Sequence, residues 1–246
     1  MLDDLDTLVG AYRLDAAGYD AGNARLTDHG PFGHHLALGG TGGPVLAARD
    51  GHECMDFDGS WWFEGRNPLL GGGSLALLMV VDGAAADPFL APVNTLERRG
   101  SPANRAASPP QNPDTDWFSS SYQGHGVTVT GQSTRLRARV GNPSPASTAT
   151  LPRGSLAFVA FALSGDPAAH VMALNDAPAT TDAYGDPRRA VPLGSHMRIG
   201  HLKATPGLQQ GRYLALKRAW FLRGNVFDHP EFEAARATEL ARWGIA

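Results

Sequence analysis

One cysteine, Cys54, occurs in 246 residues, so no disulfide within the chain can staple the fold and stability has to come from packing. The length suffices for that, since a body of this size buries enough surface to fold without staples. No apolar run approaches the ~20 residues of a membrane-spanning helix. Neither sign of charge dominates: 21 Lys and Arg stand against 24 Asp and Glu, a formal net charge of −3. That balance gives no electrostatic reason to expect nucleic acid or an anionic membrane as a partner. The opening Met1-Leu2-Asp3-Asp4-Leu5-Asp6 is acidic and lacks the basic and apolar regions of an export signal. It predicts synthesis in a cytoplasm without a signal peptide. Catalytic signatures are missing too. There is no G-x-S-x-G and no H-E-x-x-H, which removes the commonest serine-hydrolase and zinc-protease patterns. Gly71-Gly72-Gly73-Ser74 precedes a strand pattern, whereas a phosphate loop must open a helix.

What is present is turn chemistry and alternation. Thirty Gly and eighteen Pro supply the many turns of an all-β domain. The organising stretch is Gly211–Leu222, where Leu214, Leu216, Trp220 and Leu222 fall on one side at period 2, and Tyr213, Ala215, Lys217, Ala219 and Phe221 on the other. It predicts one long, half-buried strand. A terminal helix over 229–244 follows, with Pro230 suited to its first turn, Glu231 and Glu233 to its positive end, and Arg242 with Gly244 to its finish. Phe232, Ala235 and Trp243 share one face of it. Upstream, residues 1–9 read as a short acidic leader with room for one helical turn, and Gly10–Leu14 as the first strand. Leu36–Leu38 reads as a short strand. His52–Asp58 turns at Asp58-Gly59 as a hairpin into Trp61-Trp62-Phe63. Residues 83–116 and 177–192 read as long loops, and Val127–Thr130 with Arg135–Val140 as a hairpin. Leu75–Val81 and Ser155–Leu163 are apolar on both sides, so each needs a cover on its outer face. A long loop, the terminal helix or a neighbouring subunit could supply it. No repeat and no composition break divides the chain, which predicts a single domain over 1–246.

The order of these pieces resembles the concanavalin A-like lectin/glucanase superfamily, in its laminin-G-like branch. Tyr19-Asp20-Ala21-Gly22-Asn23 followed by Leu36-Ala37-Leu38 resembles the opening of such domains, and Met55-Asp56-Phe57-Asp58-Gly59-Ser60 resembles their F-D-G turn. Ser74–Val81 resembles the strand that follows. Ser155–Leu163 and His170–Asp176 are similar to their later paired strands, though the usual Trp and His pair is missing and Asn175-Asp176 stands where D-G is usual. Met197-Arg198-Ile199-Gly200, Gly211–Arg223 and the final helix are similar to their finish. The resemblance covers most of the chain and implies an antiparallel jelly-roll β-sandwich closed by a short C-terminal α-helix.

Glucanases of that fold carry carboxylates as E-x-D-x-x-E on one strand, so that acid and nucleophile face one groove. No such run occurs; Glu53, Asp56 and Asp58 come nearest, and Glu53 has the opposite parity. Asp15, Asp20, Asn23 and Asp28 are oxygen donors in one turn-rich stretch and invite the question of Ca²⁺, but turn formation explains them equally, and no cofactor is expected. His34 and His35 are adjacent, so in a strand they point to opposite sides and do not share a metal. Trp61, Trp62, Trp117, Tyr122 and His125 lie near turns, where aromatic faces can stack on sugar rings. Adjacent Trp61 and Trp62 cannot both face the core of a strand. Resemblance and residues together imply a non-catalytic module that binds a glycan, a polysaccharide or a protein surface, without nucleic acid or membrane. An oligomeric part of a phage virion, on head or tail, would suit it. The alternative is a hydrolase or lyase of the same fold using Arg137, Arg139, Tyr122, His125 and Asp186.

Overall fold

The computed structural model describes residues 1–57, 60–66, 68–69, 73–82, 90–96, 124–130, 135–140, 149–163, 170–182, 196–200 and 213–245. Its strands are β1 (Leu8–Arg13), β2 (Tyr19–Asp20), β3 (Arg25–Leu26), β4 (Leu36–Gly40), β5 (Val45–Arg49), β6 (His52–Phe57), β7 (Trp61–Arg66), β8 (Gly73–Asp82) and β9 (Leu90–Leu96). They continue with β10 (Gly124–Thr130), β11 (Arg135–Val140), β12 (Ala149–Thr150), β13 (Ala157–Leu163), β14 (His170–Leu174), β15 (Thr180–Asp182), β16 (His196–Ile199) and β17 (Tyr213–Arg223). One α-helix, α1 (Phe232–Trp243), follows.

These strands form two antiparallel sheets. Sheet A runs β15-β14-β13-β8-β17-β6-β5, with β1 also paired to β17. Sheet B runs β12-β11-β10-β9-β16-β7-β4-β3-β2. Between them lies one core, to which sheet A contributes Met55, Phe57, Leu75, Leu77, Met79, Phe161 and Phe221, and sheet B contributes Leu36, Trp61, Phe63, Met197 and Ile199. The architecture is an all-β sandwich with a terminal helix, as the alternation and turn content predict.

The alternation of β17 is not continuous, however. Its pairing with β8 slips between Leu216 and Arg218, leaving Lys217 as a bulge. An extra residue in a period-2 element exchanges the faces beyond it. Leu214 and Leu216 before the bulge, and Ala219 and Phe221 after it, enter the core between the sheets. Ala215 before it, and Trp220 and Leu222 after it, enter a second core on the opposite face. The face assignment drawn from unbroken alternation is therefore corrected from Arg218 onward.

That second core answers the doubly apolar strands. Ala76, Leu78, Val80, Phe158 and Ala160 face outward from sheet A and meet Phe232, Ala235 and Leu240 of α1, together with Leu2, Leu5 and Leu8. The cover comes from the chain's own two ends, so the strands themselves call for no neighbouring subunit. Burying a side chain such as Phe232 contributes roughly 1.5–3 kcal/mol. Residues 1–9 hold one helical turn, Leu2–Asp4 being a 3₁₀ turn with Leu2 buried, and they are fastened to sheet A: Asp3 accepts hydrogen bonds from Trp220 Nε1 (2.8 Å) and Arg218 Nη1 (3.1 Å).

Several boundaries differ from the sequence reading. β6 and β7 do not pair with each other: β6 pairs with β5 and β17 in sheet A, whereas β7 pairs with β4 and β16 in sheet B. The expected turn at Asp58-Gly59 itself lies outside the described residues. The two-residue hairpin is at Asp50-Gly51, with Arg49 opposite His52 and φ of 49° and 76° at the turn residues. Positive φ at both positions is what such a turn requires. Asp50 also accepts a hydrogen bond from Leu156 N at 2.7 Å, fastening the hairpin tip to the entrance of β13. The expected loops over 83–116 and 177–192 contain β9 and β15. The helix begins at Phe232, not at 229 or 230, since Val226–Asp228 forms a separate 3₁₀ turn capped by Asn225. Its finish is as read, with Gly244 left-handed at φ 65° and its N–H on Ala241 O and Leu240 O.

Candidate functional site

Strand β7 alternates as a half-buried strand should. Trp61 is 1% exposed, stacked on Phe57 at 4.3 Å and edge-on to Phe63 at 5.6 Å. It is a core residue and leaves the sugar-stacking set. Gly200, with φ 78°, lies so close to the Phe57 ring that a Cβ would sit 1.9 Å from it, so this corner admits glycine alone.

Trp62 takes the outer face of sheet B. It pairs with Gly39, and a Cβ on Gly39 would come within 2.5 Å of its Nε1, so the indole lies across that glycine. Trp62 Nε1 donates to Glu64 Oε2 at 2.8 Å, and Arg198 Nε donates to the same oxygen at 2.7 Å. The guanidinium of Arg198 sits 4.5 Å from the centre of the Trp62 ring. Arg198 is only 7% exposed, and charge-assisted bonds strengthen in such surroundings. The result is a fixed aromatic, cationic and anionic triad on three side chains from two strands.

Backbone register carries this row across the sheet: Ala37 is opposite Glu64, Glu64 opposite Arg198, Arg198 opposite Asn94, Asn94 opposite Gly126, and Gly126 opposite Arg139. Arg139 thus occupies the register position of Arg198, with Arg137 two residues along β11. His125 belongs to the adjacent row, opposite Thr95 and Val140, and Thr95 is opposite Met197. Trp62 and His125 therefore stand in rows of opposite parity. Trp117, Tyr122 and Asp186 lie outside the described residues.

The oxygen donors suspected of holding calcium are engaged in separate networks. Asp15 is 4% exposed and accepts from Lys217 Nζ (2.8 Å), Arg13 Nη2 (3.2 Å) and the N–H groups of Ala17 and Gly18. Burial alone would raise its pKa, but the hydrogen bonds and charges of Lys217 and Arg13 override that and hold it below the ordinary carboxylate value. Asp20 is likewise lowered, chiefly by the side-chain hydrogen bond of Asn23, with help from Arg25. Asp28 accepts from the backbone N–H groups of Ala11, Gly30 and His34 at 2.7–2.8 Å. Buried Tyr12 beside it is shifted upward by desolvation and by the Asp28 charge. Glu53 accepts from Ala16 N, and Asp56 forms an ion pair with Arg49. Among the described residues no three His, Cys, Asp or Glu side chains converge on a metal-sized site.

A loop that the sequence reading passed over presents the most exposed ring. Among residues with described side chains, Phe32 is the one exposed large aromatic, at 55%. The signal was there: Pro31-Phe32-Gly33 places an aromatic between two turn formers, away from any alternating run that would bury it.

No family model and no curated protein matches the sequence. Solved structures do match in three dimensions. The binding domain of botulinum neurotoxin serotype D is 8% identical and aligns over 100% of this chain and 56% of its own, with a TM-score of 0.65. A structure of botulinum neurotoxin type C, described as depending on two ganglioside molecules for cell entry, is 6% identical, with TM-score 0.63 over 95% of this chain and 51% of its own. The binding domain of botulinum neurotoxin DC in complex with rat synaptotagmin II is also 6% identical, with TM-score 0.62 over 97% and 52%. The chain spans about half the length of the structures it matches. At these identities the likeness is one of fold: an all-β sandwich similar to part of those binding domains.

Proposed function

We propose that this chain is a non-catalytic binding module that recognises a carbohydrate or a protein surface. The observation that carries the reading is the match of nearly the whole chain to part of domains described as binding domains, among them structures solved with synaptotagmin II and with SialylT. The outer face of sheet B supports it, because Trp62, Glu64 and Arg198 are held there by one another. Fixed side chains lose little freedom when a ligand arrives. The carboxylates Asp15, Asp20, Asp28 and Asp56 are bonded to donors of their own chain, which supports binding over sugar-bond cleavage. The finer assignment is a concanavalin A-like, laminin-G-like jelly roll, supported by the order of its sequence pieces. A place on a phage head or tail rests on fold class alone.

Glycan-array binding of the purified protein, with light scattering for its assembly state, tests the module reading. Retention of a defined group of glycans, weakened in Trp62→Ala, is expected. A protein that retains no glycan and releases reducing ends from mixed polysaccharides would overturn it. Co-sedimentation with an assembled particle tests the virion assignment.

A further inference from the structure

We infer that the loop 29–35 is a second glycan contact, with the Phe32 ring as its stacking surface; this rests on the binding-module reading. The case begins with exposure. Phe32 is 55% exposed, and a single exposed apolar side chain is ordinary on a protein surface, so the case rests on how this one is held. Exposure alone would be unremarkable in a slack loop, but this one is fixed. The buried carboxylate of Asp28 accepts Gly30 N at 2.8 Å and His34 N at 2.7 Å. Tyr12 Oη donates to His34 O at 2.6 Å. His35 N reaches Gly33 O at 2.9 Å, and His29 N reaches Ala11 O at 2.7 Å. Gly33, at φ 64°, makes the turn that brings His34 back beside Phe32. Both ends of the loop are thus pinned to β1, and Phe32 is presented with little backbone freedom left to lose on binding.

The chemistry around the ring selects the ligand. The His34 imidazole lies 6.0 Å from the Phe32 ring, tilted by 34°, so two rings stand side by side as a shallow platform. His35 Nδ1 accepts from Asp28 N at 3.1 Å. In the neutral ring the proton is then on Nε2, a donor suited to a hydroxyl acceptor. Thr27–Leu36 contains no Lys or Arg, which disfavours a phosphate backbone or an anionic lipid. One Phe and one Pro are too little apolar surface for a protein interface of ~800 Å² per partner. A flat ring with hydrogen-bonding groups and no Lys or Arg at its rim fits the C–H face and hydroxyls of an uncharged sugar.

The test is affinity electrophoresis in gels containing laminarin, dextran, xylan or mannan, with wild type, Phe32→Ala, Phe32→Trp and Trp62→Ala run side by side. At least one polysaccharide should retard the wild type. Phe32→Ala should bind it about tenfold more weakly, the effect of ~1.4 kcal/mol of lost stacking, while melting at the wild-type temperature. Phe32→Trp should keep or strengthen the retardation. A wild type retarded together with both Phe32 variants, while Trp62→Ala is not, overturns the loop contact and leaves the module reading standing. A wild type retarded by none of the four overturns this proposal for neutral glycans, and a silent glycan array beside it removes the module reading as well.

Discussion

Sheet A is covered on both faces and sheet B carries its outer face differently, and their polar groups follow suit. In sheet A the buried polar side chains tie the chain to itself. Lys217 reaches Asp15, and Asp3 holds Arg218 and Trp220. Ser74 Oγ donates to Gly224 O and accepts from Val226 N. Arg236 of α1 donates to the carbonyls of Asn175 and Ala177. In sheet B, Trp62, Glu64 and Arg198 form a cluster on the face away from the core, and the β3–β4 loop holds Phe32 beside His34 with just over half of its surface exposed. The contrast is between polar groups that tie distant parts of the chain together and polar groups gathered on one outer sheet face, and mutations should divide along the same line.

The largest losses belong to sheet A. Phe232→Ala should destabilise by about 3–5 kcal/mol, the usual result of emptying a fully buried aromatic site, measured by urea unfolding. Lys217→Ala should cost about 1.5–3 kcal/mol, because it removes the nearest cation from the buried Asp15 carboxylate and leaves it Arg13 and two N–H groups. The same pair sets an acid dependence. The pKa of Asp15 is lowered in the folded protein, so its contribution is complete above the unfolded value near 3.9 and disappears as pH falls through the lower folded value. Asp15→Asn should therefore be clearly less stable than wild type at pH 7, and the gap should narrow below about pH 4. Chemical denaturation across that range would show it. Cys54 is next: burial raises its thiol to about 11, so a thiol reagent at pH 8 should label the native protein far more slowly than the urea-unfolded chain. At the small end, Trp62→Ala should change stability by about 1 kcal/mol and Phe32→Ala by less than ~0.5 kcal/mol. A Phe32→Ala loss as large as that of Phe232→Ala would erase that contrast.

Much of this division was legible from residues alone, for physical reasons that can be named. Leu75–Val81 and Ser155–Leu163 lack a wet face, and a strand without one must be covered twice. Trp61 and Trp62 are consecutive, so one had to point away from the core. Two features escaped. The bulge at Lys217 is invisible to a period count, because Leu214, Leu216, Trp220 and Leu222 keep their parity in the sequence while the backbone between them gains a residue. Asp50-Gly51 and Asp58-Gly59 are the same dipeptide, and a local turn signal carries no information on which distant strands compete for β6 and β7. Of the aromatic group, Trp61 belongs to the core, and Trp117 and Tyr122 lie outside the described residues; nearness in sequence to a turn does not by itself give nearness in space. Register places Trp62 and His125 in different rows.

The placement of β17 has a consequence for how the protein is made. It is the last of the described strands, yet it lies inside sheet A, with β8 along one edge and β6 and β1 sharing the other. A ribosome delivers β1, β6 and β8 long before the segment that joins them, and Leu8 waits for Leu222 across almost the full length of the chain. During that interval β8 and β13 have apolar side chains on both surfaces and no central partner, a state prone to clumping. Contacts so distant along the chain also make for slow folding. Chains interrupted before residue 213 should therefore accumulate as insoluble material, and entry of β17 into the sheet should act as the committing step.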